Sequence, residues 1–271
     1  MTTPLLPGNP YEVPAHIMAQ GGVRFLTTSD MSHAGVTVGA FMHNSPARRG
    51  VRLSGGCSGM SRGDKQEMMD YFVEAFANFT GFVSSGGTRQ VGDDGGIDPM
   101  ITDVPAALAN KWPDRILTLS TAPRTGQMAL VDNSRLVLDA ENGTLPQPGV
   151  HMVILVQPVL SHDKAGWDFD VDHYLKLFNE YVRTGGWRFG EPVWNGGGIT
   201  VEEAVKAANL GWPVFPIEGS GRAADQLAAA ALAGEPINGL KPGAERNLHV
   251  VRRDDPSTLA QAMASQGLIA A

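Results

Sequence analysis

Four stretches of the sequence are rich in glycine and directly follow a β-rich run. They are SGGCSGM at residues 54–60, SSGGT at 84–88, NGGG at 195–198 and EGSGR at 218–222. Glycine lets a phosphate approach the backbone closely, and the N–H groups at a helix start favour negative charge. One such stretch could simply form a tight strand-to-helix turn. Four of them in one chain predict a site for a nucleotide or a sugar phosphate.

Arg222 follows the last of these stretches, at the predicted first turn of a helix. A cation at that position opposes the helix dipole and costs roughly 0.3–1 kcal/mol unless an anion lies nearby. The anion could be the carboxylate of Asp225 or Glu218, or it could be a ligand phosphate gripped by the guanidinium. The sequence leaves both interpretations open, and they are compatible.

Thr200 and Glu203 have the T-x-x-E spacing of a capping box, with Thr200 as the predicted N-cap. The alternative is that Glu203 accepts hydrogen bonds from ribose hydroxyls or acts in cleavage of an N-glycosidic bond. Cys57 lies in the first glycine stretch, where helix N–H groups could lower its pKa, although small-residue packing explains it equally well.

The candidate residues are taken from the four glycine stretches and the helix starts that follow them. The predicted ligand-binding residues are Gly55, Gly56, Cys57, Ser58, Gly59, Met60, Ser85, Gly86, Gly87, Thr88, Gly196, Gly197, Gly198, Thr200, Glu203, Glu218, Gly219, Ser220, Gly221, Arg222 and Asp225. Glu203 is the predicted catalytic residue if the protein is a hydrolase. A single cysteine and seven scattered histidines predict no metal site, and no cofactor is expected.

The elements that must position these residues follow a repeated order of β-rich run, glycine break and helix. That order is typical of an α/β fold, here a Rossmann-like parallel sheet with helices on both faces. Ligands of open parallel sheets lie beyond the carboxyl ends of the strands, so the glycine breaks should converge there. We find no exact repeat and no low-complexity linker. We therefore predict one domain at residues 51–271, with a small N-terminal addition at residues 1–50.

Composition and charge narrow the function further. The 271 residues are 42% hydrophobic and 18% charged, as in an ordinary soluble globular chain, and the net charge is −7. An acidic chain is a poor general binder of nucleic acids or anionic membranes. The sequence shows neither a leader pattern at its start nor a run of about 20 apolar residues, and its one cysteine fits a reducing compartment. A cytoplasmic protein with no nucleic-acid or membrane partner is expected.

Two common nucleotide-binding signatures do not occur. SGGCSGM does not match G-x-G-x-x-G, and the second predicted strand ends in SSGG where a dinucleotide-binding domain carries Asp or Glu. The P-loop pattern G-x-x-x-x-G-K-[ST] occurs nowhere in the chain. The sequence therefore excludes a P-loop nucleotidase and argues against a nicotinamide-dependent dehydrogenase.

The glycine motifs resemble those of the SLOG superfamily of Rossmann-like domains. PVWNGGGITVEEAV is similar to the PGGxGTxxEE signature of Lonely-guy-type phosphoribohydrolases, and VFPIEGSGRAADQLA is similar to the GSGRAAD segment in the N-terminal domains of melastatin TRP channels. VRLSGGCSGMS and TGFVSSGGTRQ resemble the two upstream glycine loops in the same order. The resemblance spans residues 51–233 and is strongest to the LSDAT branch.

This resemblance implies a sensor of a nucleotide-derived ligand, such as ADP-ribose or a cyclic relative, and a homo-oligomer with an unidentified effector. Asn195 replaces the proline of the hydrolase signature, Ile199 replaces its third glycine, and no arginine-bearing helix matches upstream. These departures favour binding over hydrolysis. The alternatives are an N-glycosidic hydrolase acting on a nucleotide and an oligomeric scaffold that binds no ligand.

Overall fold

The computed structural model describes residues 42–86, 100–122 and 170–270 with their side chains. It describes residues 16–20, 23–28, 88–89, 123, 129–131, 135–137, 145–146, 152–156 and 167–169 as backbone. Gly87 and most of the strand-like stretch at residues 35–42 lie outside the described residues.

Fourteen strands are present in the described part of the chain. They are β1 His16–Gln20, β2 Val23–Thr28, β3 Arg49–Arg52, β4 Ser54–Gly56, β5 Gly81–Gly86, β6 Thr88–Arg89, β7 Ile116–Pro123, β8 Ala129–Val131, β9 Arg135–Val137, β10 Leu145–Pro146, β11 Met152–Val156, β12 Arg188–Asn195, β13 Val214–Glu218 and β14 Val251–Arg252.

The main sheet has the strand order β1-β2-β11-β7-β5-β3-β12-β13-β14, and β4 continues β3 along β12. All of its described pairings are parallel except that of β1 with β2 at one edge. Two short antiparallel pairs, β6 with β10 and β8 with β9, lie outside it. The strands found within residues 1–50 thus join the same sheet.

Six α-helices accompany these strands in the described residues. They are α1 Arg62–Ala75, α2 Val104–Lys111, α3 Trp167–Gly185, α4 Gly198–Asn209, α5 Arg222–Ala233 and α6 Pro256–Ser265. Short 3₁₀ turns at Ile101–Asp103 and Ala244–Asn247 precede α2 and β14. Helix α1 begins with the capping box that its sequence encodes, because Ser61 and Asp64 exchange hydrogen bonds.

Helices cover both faces of the sheet, and each face has its own apolar core. Side chains of α1, α2 and α6 pack on one face around Phe72, Phe76 and Trp194. Side chains of α3, α4 and α5 pack on the other around Phe178 and Phe189. This arrangement confirms the predicted α/β Rossmann-like fold.

The strand order reverses direction at β3, which lies between β5 and β12. Of the strands that follow β3 in the chain and belong to this order, β5, β7 and β11 lie on one side of β3. Strands β12, β13 and β14 lie on the other side. Crevices at such a switch point, beyond the carboxyl ends of the strands, are where open α/β sheets bind ligands. The first three glycine stretches end or follow the strands that meet at this point.

Candidate functional site

A cavity of about 230 Å³ opens at this switch point. Its walls come from the end of β3 through β4, the end of β5, the 3₁₀ turn before α2, and helices α3 and α4. The lining residues are Arg52, Leu53, Ser54, Gly55, Gly56, Gly86, Met100, Ile101, Thr102, Val171, Ile199, Thr200 and Glu203. Five of them, namely Gly55, Gly56, Gly86, Thr200 and Glu203, are residues that the sequence predicted.

The backbone at Gly55 and Gly196 requires glycine. Gly55 has φ +145°, and a Cβ there would overlap the carbonyl oxygen of Trp194 on the neighbouring strand. Gly196 has φ +90°, and a Cβ there would overlap the side chain of Thr200. L-residues rarely adopt such conformations, so both positions favour glycine, and Gly55 lets the first glycine stretch lie directly against β12.

The predicted capping box at the start of α4 is wrong. The helix begins at Gly198 with Gly197 as its N-cap, and Thr200 accepts a hydrogen bond from the Gly197 N–H at 3.3 Å. Helix α4 begins before the predicted N-cap Thr200, because glycine is itself tolerated at the N-cap position. Glu203 therefore lies one turn into the helix, buried and turned towards the cavity.

Two side chains hold one oxygen of Glu203. Arg52 donates from Nε to Glu203 Oε1 at 3.1 Å, and the hydroxyl of Tyr174 donates a very short hydrogen bond to the same oxygen. The ring of Tyr174 also lies 4.0 Å below the Arg52 guanidinium carbon. Both hydrogen bonds end on Oε1, and no partner of Oε2 is found among the described residues.

Arg52 and Tyr174 keep their protons in this environment. Burial alone would lower the pKa of Arg52, but Tyr174, Glu203 and Asp170 outweigh it and raise the pKa overall. Burial and the neighbouring Glu203 raise the pKa of Tyr174 well above its ordinary value. Arg52 also donates to Ser84 Oγ at 3.3 Å. The carboxylate of Glu203 is therefore held by a permanent cation and a permanent hydroxyl donor.

Two further buried carboxyl groups surround this arrangement. Asp170 accepts a hydrogen bond from Thr121 at 3.1 Å and lies 4.0 Å from Arg52, and burial raises the pKa of Asp170 to about 7. Burial and the nearby Glu203 raise the pKa of Glu191 well above its ordinary value. One arginine thus faces three carboxyl groups, and the surplus negative charge is avoided by protonation.

Asn195 ties the first, third and fourth glycine stretches together. Its side-chain amide donates to the carbonyls of Gly56 at 2.8 Å and Ser58 at 3.2 Å, and its backbone N–H donates to Ser220 Oγ at 3.0 Å. Asn195 is buried and has φ +51°, a conformation that asparagine tolerates better than most residues. Asn195, which stands where the similar hydrolase signature has proline, therefore links the three glycine stretches.

Arg222 begins α5 and is exposed, with the unusual φ of +42°. Of the alternatives left open by the sequence, the pairing with Asp225 does not form, and Asp225 instead accepts a hydrogen bond from the Gly219 N–H at 2.7 Å. A Cβ built at Gly197 would lie 3.3 Å from Arg222 Nη2, so the guanidinium lies beside the start of α4. Among the described residues, the side chain of Arg222 has no hydrogen-bond or ion-pair partner.

The other predicted residues lie at varying distances from the cavity. Cys57 is buried, and burial raises the pKa of its thiol, which argues against a reactive thiolate. Ser85 is buried and donates to the Gly86 carbonyl. Met60 packs on the core. Exposed residues of the set are Ser58, Gly59, Gly198, Glu218 and Gly219. For Thr88, only the backbone is described.

Four residues of this arrangement were not predicted from the sequence, namely Arg52, Asp170, Tyr174 and Glu191. One signal was present, because Arg52 and Glu191 are charged residues inside apolar strands that precede glycine stretches. A charge in a buried strand is costly unless it is paired, so it points to a partner elsewhere. Asp170 and Tyr174 on α3 carry no comparable signal, since charged and aromatic residues are ordinary on an amphipathic helix.

Within the described part of the chain, no group of three or more His, Cys, Asp or Glu side chains is placed to hold a metal ion. Nor does any helix described there have the length and apolar character needed to cross a membrane.

Similarity to known proteins is found among solved structures. No protein-family model matches the chain, and no curated protein matches it. The X-ray structure of TM1055, a structural-genomics target, is similar with a TM-score of 0.48 and 11% sequence identity, covering 81% of this chain and 99% of that one. A likeness of this degree carries no information about ligand or activity.

Proposed function

We propose that the cavity binds the ribose portion of a nucleotide-derived ligand. The observation that carries this proposal is the fixed carboxylate of Glu203, which lines the cavity and has Oε1 held by Arg52 and Tyr174. A carboxylate accepts hydrogen bonds and cannot donate them, so its free oxygen suits a hydroxyl-bearing group. Adjacent ribose hydroxyls provide such donors.

The phosphate of the ligand is proposed to lie outside the cavity, near Gly197 and Arg222. Inside the cavity, the guanidinium of Arg52 is already paired with the carboxylate of Glu203. Arg222 is exposed, lies beside the start of α4 and has no described anionic partner. Helix starts and an unpaired guanidinium together favour a phosphate there.

The size of the cavity supports this division of the ligand. Sites that enclose whole drug-sized ligands usually measure about 300–1,000 Å³, whereas this cavity measures about 230 Å³. It therefore suits one part of a nucleotide, with the remainder extending past Gly197. The resemblance of the glycine motifs to the LSDAT branch supports a ligand related to ADP-ribose or a cyclic form of it.

A second candidate function is hydrolysis of an N-glycosidic bond. It is favoured by one observation, namely that Glu203 is held by a buried arginine instead of capping its helix. A carboxylate fixed at the sugar could stabilise the positive charge that develops on ribose as the base leaves. Release of free base from a nucleotide, abolished in Glu203→Gln, would establish this activity.

The experiment that tests binding is a thermal-shift screen with AMP, ADP-ribose, cyclic ADP-ribose, NAD and NADP. A ligand at about 100 times its Kd stabilises a protein by about 2.7 kcal/mol, which shifts Tm by several degrees in a chain of this size. We expect at least one compound to raise Tm and Glu203→Gln to reduce that shift. No shift with any compound would argue for the scaffold alternative.

Arginine variants test the position of the phosphate. Arg222→Ala should weaken binding by about 1.5–3 kcal/mol, because a charge-assisted hydrogen bond is lost. Arg246→Ala is the matched control, since Arg246 is also exposed but lies near the opposite end of β13, where Leu248 pairs with Val214 at the start of that strand. Equal affinities of the two variants for the ligand would show that Arg222 is not part of the binding site.

A further inference from the structure

The cavity has an apolar side that a sugar phosphate would not use. Three large apolar side chains are exposed in the described part of the chain: Ile199 at 44%, Leu210 at 42% and Leu232 at 65%. Single exposed apolar residues are ordinary on protein surfaces, so exposure alone indicates nothing. Ile199 differs from the two leucines because it lines the cavity.

Ile199 lies on the same side of α4 as Glu203. The two residues are four positions apart, and residues at that spacing on a helix have Cβ atoms about 5–6 Å from each other. Both line the cavity. A ribose whose hydroxyls contact Glu203 would therefore hold its neighbouring substituent within reach of Ile199.

Other apolar side chains complete this part of the wall. Leu53, Met100, Ile101 and Val171 share the cavity with Ile199. Burying apolar surface is favourable by about 25 cal/mol per Å², and a flat aromatic base offers a large surface for such contact. A ligand with both hydroxyl groups and a planar base would fill the polar and the apolar sides together.

We propose that Ile199 contacts the base of the bound ligand and sets a preference for base-bearing ligands over the sugar phosphate alone. This inference rests on the proposed function of the same cavity. Ile199 stands where the similar hydrolase signature has glycine. A glycine at this position would leave this part of the cavity wall open.

Isothermal titration with AMP and ribose 5-phosphate tests the inference, because ribose 5-phosphate carries a hydroxyl at C1 where AMP carries adenine. The full-length wild type should bind AMP at least about tenfold more tightly than ribose 5-phosphate. Ile199→Ser should weaken AMP binding about tenfold and leave ribose 5-phosphate binding unchanged. Ile199→Val keeps an apolar side chain and should retain most of the preference.

Leu232→Ser is the matched control, since it changes an exposed apolar residue on α5 that does not line the cavity. Its affinities should equal those of the wild type. If Ile199→Ser leaves the ratio of the two affinities unchanged, or weakens both equally, the inference about Ile199 is overturned while the proposed function stands. If the wild type binds neither probe at millimolar concentration, the inference about Ile199 is overturned, and the proposed function fails as well only if ADP-ribose and the other compounds of the thermal-shift screen give no shift.

Discussion

The two faces of the sheet resemble each other in their apolar cores and differ where the strands end. The face under α1 and α6 is filled by aromatic and aliphatic side chains, including Phe72, Phe76 and Trp194. On the face under α3 and α4, the apolar core gives way to Arg52 and Glu203 with their buried neighbours. A buried ion pair adds little net stability compared with apolar packing. Within the residues that the structure describes, such a pair lies on one face only, and it marks the place where part of the core is not used for apolar packing.

The largest expected effect comes from removing the cation of that arrangement. Arg52→Met should lower the free energy of unfolding by about 3–5 kcal/mol, because Glu203 loses its partner in a buried site. The double variant Arg52→Met/Glu203→Gln should recover a large part of this loss, since no unpaired charge remains. Urea unfolding of the three variants, including Glu203→Gln alone, measures the coupling between the residues. Additive losses would show that the pair contributes nothing as a pair.

The surplus of carboxyl groups should make stability depend on pH. The pKa of Asp170 is raised from 3.8 to about 7 by burial, so the folded state takes up a proton that the unfolded state releases. Its contribution is complete below about pH 3.8 and is lost as pH rises through about 7. The free energy of unfolding should fall by up to about 1.4 kcal/mol per pH unit in this range.

Asp170→Asn isolates this contribution. The amide cannot ionise, so the stability of the variant relative to wild type should increase from pH 5 to pH 8. Chemical unfolding at several pH values measures the difference, and groups that titrate in both proteins cancel. Equal pH dependence in the two proteins would contradict the assignment of the proton to Asp170.

A smaller effect is expected at the link between the glycine stretches. Asn195→Asp should cost about 2 kcal/mol, because a carboxylate would face the carbonyls of Gly56 and Ser58 in place of a donor. Asn195→Gly should cost about 1 kcal/mol, since glycine accepts the positive φ but makes neither hydrogen bond. Thermal unfolding measures both. An Asn195→Asp variant as stable as the wild type would show that the amide donor is unimportant.

Much of the fold could be predicted from the sequence because its signals are local. The glycine stretch at residues 195–198 and the apolar run of β12 mark a strand end and a helix start without knowledge of the rest of the chain. The same holds for Ser61 and Asp64, whose spacing encodes the start of α1. Such features depend on backbone conformation and periodicity, which a sequence displays directly.

The composition of the candidate site was harder to predict because it depends on contacts between distant residues. Arg52 and Glu203 are 151 positions apart and meet only because β3 and β12 are neighbours in the sheet. The same limitation explains the mistaken capping box, since T-x-x-E spacing was satisfied locally while burial gave Glu203 a different partner. The possible pairing of Arg222 with Asp225 was also suggested by local spacing, whereas in the structure Asp225 accepts a hydrogen bond from the Gly219 N–H.

The smallest expected effect tests whether the apolar face is independent of the cavity. Phe72 is fully buried on α1, and Phe72→Leu should cost about 1 kcal/mol, as conservative core substitutions usually do. Because Arg52 and Glu203 contact Tyr174, which belongs to the core of the other face, the cost should be the same at pH 5 and pH 8, and AMP affinity should not change. Urea unfolding at both pH values and titration with AMP provide the comparison. A pH-dependent cost would show that the two faces are coupled through the sheet, and the contrast between a face for stability and a face for binding would then be wrong.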